Sequence, residues 1–244
     1  MKKIKITLIF LLLIVLGYGL YNIYNIQKEI VESENLNNEL VEIIELPSNN
    51  SEVKEESGVN FSELEKINSD VVGWIVMEGT QVNYPIVQSK DNSFYLNHSF
   101  DKKWNSLGSI FMDYRSKNNF SDYNTFIYGH HTKNGSMFGE LYKYMDESFY
   151  KEYPFYYLYT PTGNYKVEII SAYLDSAESD SYVQSFSTNE EYKNYIKLIK
   201  DKSNYKTDTE LDIETDKIIT LYSCSHESNR RKSDRYYIHG VIKK

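Results

Sequence analysis

The chain has 244 residues, 41% of them hydrophobic, which is enough for one domain with a real core plus appendages. A net charge of −8, with arginine confined to Arg115, Arg230, Arg231 and Arg235, argues against a broad nucleic-acid-binding face. The single cysteine, Cys224, can form no intramolecular disulfide and cannot supply the paired thiolates of a Cys-rich zinc or iron–sulfur site, so it is either buried filler or a reactive group.

Residues 6–27 carry no charge. As a helix rising about 1.5 Å per residue, such a run crosses a hydrocarbon core of about 30 Å. Lys2, Lys3 and Lys5 precede it and increasingly acidic residues follow, so the positive-inside rule predicts a cytoplasmic tail over residues 1–5, a single-pass anchor over 6–27 and an extracellular remainder. The run is long for a cleaved signal peptide, and no small-x-small site follows Gly17-Tyr18-Gly19.

Residues 28–60 are predicted to be an acidic helical extension and linker. Leu36, Leu40, Ile43 and Ile44 recur at helical spacing before Pro47, which implies an amphipathic helix with something to pack on. Ser48 to Gly58 is polar and aperiodic and reads as a joint.

Aromatic residues become dense after residue 60, and a catalytic or binding domain is expected over 61–244. Ser62-Glu63-Leu64-Glu65 has the spacing of a capping box and predicts a short helix from Ser62 to Asn68. Enrichment in aromatic and β-branched residues between turn residues predicts strands at 72–77, 81–87, 109–114, 125–128, 155–159, 165–173, 217–222 and 236–242. A mostly β domain follows, as a closed or nearly closed barrel. One helix interrupts the later strands: Ser187 and Glu190 make a second capping box, and Tyr192, Tyr195, Ile196 and Ile199 form a stripe predicted to face the core.

Cys224 ends an apolar run and is followed by polar residues, a position that favours an exposed thiol. A thiol attacks carbonyls as thiolate and needs a neighbour to hold or take its proton. His130 and His131 both follow Gly129 at another strand end, where the glycine suggests a sharp turn; neighbours in extended chain point to opposite faces, so one of the two can face the thiol, and the residues leave open which. His226 is a weaker candidate, and His98 and His239 read as loop and strand residues. Acyl transfer also needs a donor for the developing oxyanion, and Arg235 opens the strand after the one that carries Cys224. Arg230 and Arg231 lie in the polar connection, and Arg115 has no evident link to the thiol. A metal site built from Cys224, His226 and the His130-His131 pair lacks any standard ligand spacing, so neither metal nor cofactor is expected.

The run Thr220-Leu221-Tyr222-Ser223-Cys224 resembles the TLxTC signature of sortases, and Tyr128-Gly129-His130 resembles their histidine motif. Asn83-Tyr84-Pro85-Ile86-Val87-Gln88, Gly108 to Asp113 and Gly135-Ser136-Met137-Phe138 extend the likeness across residues 60–244, most closely to class B sortases, which have an N-terminal helical extension and a helix before the cysteine strand. The resemblance implies an eight-stranded barrel with Cys224 as nucleophile, His130 as general acid and base, and Arg235 as ligand of the oxyanion or substrate carbonyl; it also decides between the two histidines. It implies a sorting-signal groove involving Asn92, Tyr128, Tyr182, Tyr222 and Ser223, the last standing where the family usually has threonine. The partners it implies are secreted proteins with a C-terminal sorting signal of the NPxT[N/G] kind and a peptidoglycan or cell-wall amine acceptor of a Gram-positive envelope. The alternatives are a hydrolytic cysteine peptidase and a non-enzymatic, membrane-tethered binding module.

Overall fold

A computed structural model describes residues 2–44, 58–224 and 233–242, and gives the backbone alone for residues 2–4 and for Cys224. The predicted joint at Ser48 to Gly58 falls almost wholly outside the described residues, as do His226, Arg230 and Arg231.

Eight strands close into a barrel: β1 (Val71–Val76), β2 (Asn83–Val87), β3 (Ile110–Met112), β4 (Asn124–Gly129), β5 (Phe155–Thr160), β6 (Gly163–Ser176), β7 (Lys217–Cys224) and β8 (Asp234–Ile242). Their order around the barrel is β1-β2-β3-β4-β7-β8-β6-β5. Each predicted run holds a strand, so the fold class stands, and the strand ends differ by a few residues. β2 pairs with β3 and β4 with β7 in parallel, and the remaining pairs are antiparallel.

Alternation along the strands separates two apolar layers. Ile75, Ile127, Ile219, Leu221 and Ile238 point into the barrel, while Trp74, Phe126, Ile218 and Tyr237 point outward. The outward face is buried as well, because helices cover it. α4 (Asn189–Lys202) contributes the predicted stripe Tyr192, Tyr195, Ile196 and Ile199, all four buried. Leu64 of α2 (Phe61–Ile67) and Leu40 of α1 (Lys2–Glu42) complete the cover.

Both predicted capping boxes are displaced. Asn60, not Ser62, caps α2, its side chain accepting from Glu63 N. Thr188, not Ser187, caps α4 by accepting from Glu191 N, while Glu191 Oε2 takes the backbone N–H of Ser187. In each case a neighbour that also caps helices lies nearer to the actual turn, Asn60 as strong a cap as Ser62 and Thr188 a somewhat weaker one than Ser187. The apolar run and the first part of the acidic segment, expected as separate segments, form one unbroken helix from Lys2 to Glu42. The sequence reading missed α3 (Glu147–Glu152) and the 3₁₀ turns Phe94–Leu96 and Leu141–Met145, which are too short to show periodicity.

Candidate active site

The register of two neighbouring ladders brings together residues distant in sequence. In the parallel β4–β7 ladder Tyr128 pairs with Tyr222 and Gly129 with Ser223, so His130 leaves β4 one step beyond, level with Cys224. In the antiparallel β7–β8 ladder Cys224 pairs directly with Arg235. His130 and Arg235 line one cleft of about 210 Å³ on the outer face of the barrel, together with Asn92, Tyr128, Tyr182 and Tyr222, and with Leu96 and Phe111 on its wall.

His130 is fixed by a 2.6 Å contact between its Nε2 and the carbonyl of Leu96. A carbonyl only accepts, so Nε2 carries the proton and Nδ1 is left to accept one, or to donate from the imidazolium. His131 turns the other way and stacks on Tyr236 at 5.6 Å. Gly129 does not form the sharp turn its sequence position suggests: it is an extended residue of β4, absent from the left-handed glycines. Its smallness serves packing, since a Cβ there would lie 2.5 Å from Ile110 Cδ1 and 2.6 Å from Phe138 Cδ2.

The tyrosine rings form the cleft floor. Tyr222 meets Tyr128 edge-on at 5.5 Å and lies 5.6 Å from Tyr182, and the Arg235 guanidinium stands 5.9 Å from the Tyr222 ring centre. Ser223 does not line the cleft. It is 1% exposed, and its hydroxyl donates to the Gly129 carbonyl at 2.9 Å, tying β7 to β4 just before Cys224 and His130.

Beneath the cleft lies a carboxylate that sequence reasoning missed. Asp113 is fully buried and accepts from Arg115 Nε (2.9 Å) and Nη2 (2.7 Å), from Asn92 Nδ2 (2.9 Å) and from the Tyr128 hydroxyl (2.6 Å). Burial alone would raise its pKa; the hydrogen bonds from Arg115, Tyr128 and Asn92 outweigh that and hold the carboxyl well below its ordinary range. Tyr128 gives its proton to Asp113, so the 2.6 Å contact with Tyr182 must be donated by Tyr182, whose oxygen in turn accepts from Arg115 Nη2 at 3.3 Å. Arg115 is thus tied to the cleft after all, through Asp113 and Tyr182. The available signal was Asp113-Tyr114-Arg115 at the end of an apolar run, the same setting that singled out Cys224 and His130.

His239 is a buried strand residue, as expected, with a pKa lowered to about 3 by desolvation and, secondarily, by Lys202. His98 stacks on Phe94 at 4.0 Å. Among the described residues no group of three or more His, Cys, Asp or Glu side chains is arranged to hold a metal ion.

Residues 75–243 match the family model described as the Sortase domain. Sortase B of Listeria monocytogenes is 37% identical over 193 residues, which covers 79% of this chain and 76% of that protein. The crystal structure of sortase B from B. anthracis superposes with a TM-score of 0.77 at 36% identity, covering 90% of this chain and all of that one. A Staphylococcus aureus sortase B–substrate complex gives 0.71 at 30% identity, covering 91% and 95%. With a barrel, a helical cover and a cysteine–histidine–arginine register of this kind, the chain belongs to the sortase family, as a cysteine transpeptidase of the sortase B type.

Proposed function

We propose that the protein is anchored by residues 6–27, with a cytoplasmic tail over 1–5, an acidic extension over 28–60 and an extracellular catalytic domain over 61–244, and that it joins secreted proteins to a cell-wall amine. The observation that carries this reading is the meeting of His130 and Arg235 in one cleft beside the backbone of Cys224.

In this mechanism the Cys224 thiolate attacks the scissile carbonyl of a C-terminal sorting signal of the NPxT[N/G] kind. Arg235 takes the charge that develops on the carbonyl oxygen. His130, as imidazolium, protonates the departing amine, leaving an acyl thioester on Cys224. A peptidoglycan amine then loses a proton to His130, attacks the thioester and releases Cys224 as the thiolate, which restores the starting thiolate–imidazolium pair. The covalent intermediate divides one difficult acyl transfer into two easier steps. Asn92, Tyr128, Tyr182 and Tyr222 present rings and one amide to the extended peptide; the solved S. aureus sortase B–substrate complex supports binding of a substrate by a protein of this fold. Ser223 supports the groove from behind.

Mass spectrometry of a trapped acyl-enzyme is expected to find the adduct on Cys224, and an active Cys224→Ala variant overturns the mechanism. Arg235→Ala should lower the rate on the order of 10²- to 10³-fold, the usual effect of losing an oxyanion donor. His130→Ala should abolish turnover and His131→Ala should not. Release of cut peptide that is indifferent to added amine would instead identify a hydrolytic peptidase, and full function after alkylation of Cys224 a non-enzymatic module.

A further inference from the structure

His130 is held by a carbonyl, and that carbonyl has a second close neighbour. The 3₁₀ turn Phe94–Leu96 presents two consecutive carbonyl oxygens to the segment that leads into β3. The Tyr95 carbonyl accepts from the backbone N–H of Ser109 at 3.0 Å, and the Leu96 carbonyl accepts from His130 Nε2 at 2.6 Å. Gly108 lies directly against both. A Cβ on Gly108 would stand 2.4 Å from the Tyr95 oxygen and 2.8 Å from the Leu96 oxygen, where ordinary contact begins near 3.4 Å. Both obstacles are main chain, so neither can swing aside as a side chain can. Gly108 also has a φ of +62°, in the left-handed region that side chains disfavour.

The glycine has no room to retreat from the turn. It is buried, and its N–H donates to the Asn105 carbonyl at 3.0 Å. Ser109 is fixed twice, by its N–H on Tyr95 and by its hydroxyl on the His98 carbonyl at 2.8 Å, and Ile110 then enters β3 opposite Ile86. The turn is the partner that yields, because it lies at the surface, with Leu96 43% exposed.

We propose that Gly108 is a positioning residue for His130: its left-handed, side-chain-free backbone lets the chain lie so close to the 94–96 turn that the Leu96 carbonyl stands where Nε2 reaches it. This rests on the reading of His130 as general acid and base. With Nε2 engaged by Leu96, Nδ1 is the nitrogen left for the thiol and the departing amine. A carbonyl pushed out of place turns the ring without disturbing the tyrosine floor on which the peptide lies.

In Gly108→Ala the rate should suffer where binding does not. Per folded enzyme, kcat for cleavage of a peptide carrying the NPxT[N/G] signal should fall by about 10- to 100-fold, the scale set by a misplacement on the order of 1 Å, with KM changed less than about twofold. Gly108→Asn introduces a residue that tolerates a left-handed φ but still carries a Cβ, so it should fold better than Gly108→Ala and be as slow. Gly79→Ala is the matched control. Gly79 is also left-handed, at φ +73°, and its Cβ would meet the Tyr153 ring rather than the 94–96 turn, so this variant should lose stability and keep kcat. The contact itself is read by NMR of the full chain in detergent micelles with ¹⁵N-labelled histidine. The Nε2-bound proton of His130, assigned by its absence from His130→Gln, should give a hydrogen-bonded resonance in the wild type and exchange away in both Gly108 variants. A folded Gly108 variant with wild-type kcat, a resonance that the variants leave in place, or a wild type without it overturns the positioning and leaves the role of His130 standing. Normal turnover in His130→Ala overturns that role, and the positioning with it.

Discussion

The outer face of the barrel carries two buried chains of hydrogen bonds that end differently. Away from the cleft the Tyr173 hydroxyl donates to His239 Nε2 (2.9 Å), His239 Nδ1 to Thr220 Oγ1 (2.9 Å), Thr220 to Asn124 Oδ1 (2.7 Å), Asn124 Nδ2 to the Tyr195 hydroxyl (2.8 Å), and Tyr195 to the carbonyl of Ser181 (3.0 Å). Thr220 spends its one proton on Asn124, which fixes His239 as the neutral Nδ1–H tautomer. Every link is neutral and the chain stops on backbone. Under the cleft, Arg115, Tyr182 and Tyr128 donate in sequence to end on the Asp113 carboxylate. β4 carries members of both, Asn124 and Tyr128, on one face. The charged chain lies where the cleft needs two tyrosine rings held still, and the chain away from the cleft uses neutral groups, which carry a smaller desolvation cost.

The largest expected effect tests the charged chain. Asp113→Ala leaves Arg115 and the Tyr128 hydroxyl without their acceptor; breaking a buried ion pair typically costs 3–5 kcal/mol, and about 3 kcal/mol is expected here because Arg115 is half exposed and can turn to water. Urea unfolding measures this, and the variant's folded fraction should also bind peptide more weakly, seen as a higher KM. A stability loss with unchanged KM would break the link between Asp113 and the cleft.

Acid separates the two chains by a smaller effect. The folded pKa of His239, about 3, lies below its ordinary 6.5, so between those values the unfolded state binds the extra proton and stability falls as pH falls. Each pH unit is worth about 1.4 kcal/mol, so roughly 2 kcal/mol should be lost by pH 5 and regained on returning to neutrality. Asp113, also lowered in the fold, contributes stability that is present above its ordinary 3.8 and lost only as pH falls below it. Unfolding curves of His239→Gln should lack the loss between pH 6.5 and 5 yet retain the later one. A His239→Gln variant with altered turnover at neutral pH, once corrected for folded fraction, would show that the neutral chain also serves the site.

Much of this arrangement was legible in the sequence, because each of the eight strands is a local run of aromatic and β-branched residues and the helical stripe on α4 repeats within one segment. Cys224 and Arg235 lie on consecutive strands, the simplest pairing to anticipate. The charged chain was not legible. It joins Asp113 to Tyr128 and Arg115 to Tyr182, and local pattern says nothing about which distant hydroxyl will close on a carboxylate. The capping residues were misplaced by one or two positions because Asn60 and Ser62, or Ser187 and Thr188, can all cap a helix, and tertiary packing chooses between neighbours even against a slight intrinsic preference for serine over threonine. Gly129 misled in a different way. A glycine at a strand end suggests a turn, whereas here it makes room for Ile110 and Phe138.

Gly129→Ala should therefore overpack the barrel end by about 2 kcal/mol, since the Phe138 ring that its Cβ would meet is fully buried. Its displacement falls on the residue next to His130, so kcat should drop more than KM rises.

Ser223→Ala is the mildest test of the same spot. It removes the 2.9 Å bond from the hydroxyl to the Gly129 carbonyl without adding volume, and the net worth of such a bond is about 1 kcal/mol. Because the hydroxyl faces the barrel interior rather than the tyrosine floor, peptide binding should survive, with a modest fall in kcat as the β4–β7 seam beside His130 and Cys224 loosens. Ser223→Thr keeps the donor and should retain both stability and rate. A large rise in KM for Ser223→Ala would place this hydroxyl in the peptide's path and extend the cleft floor to the inner face of β7.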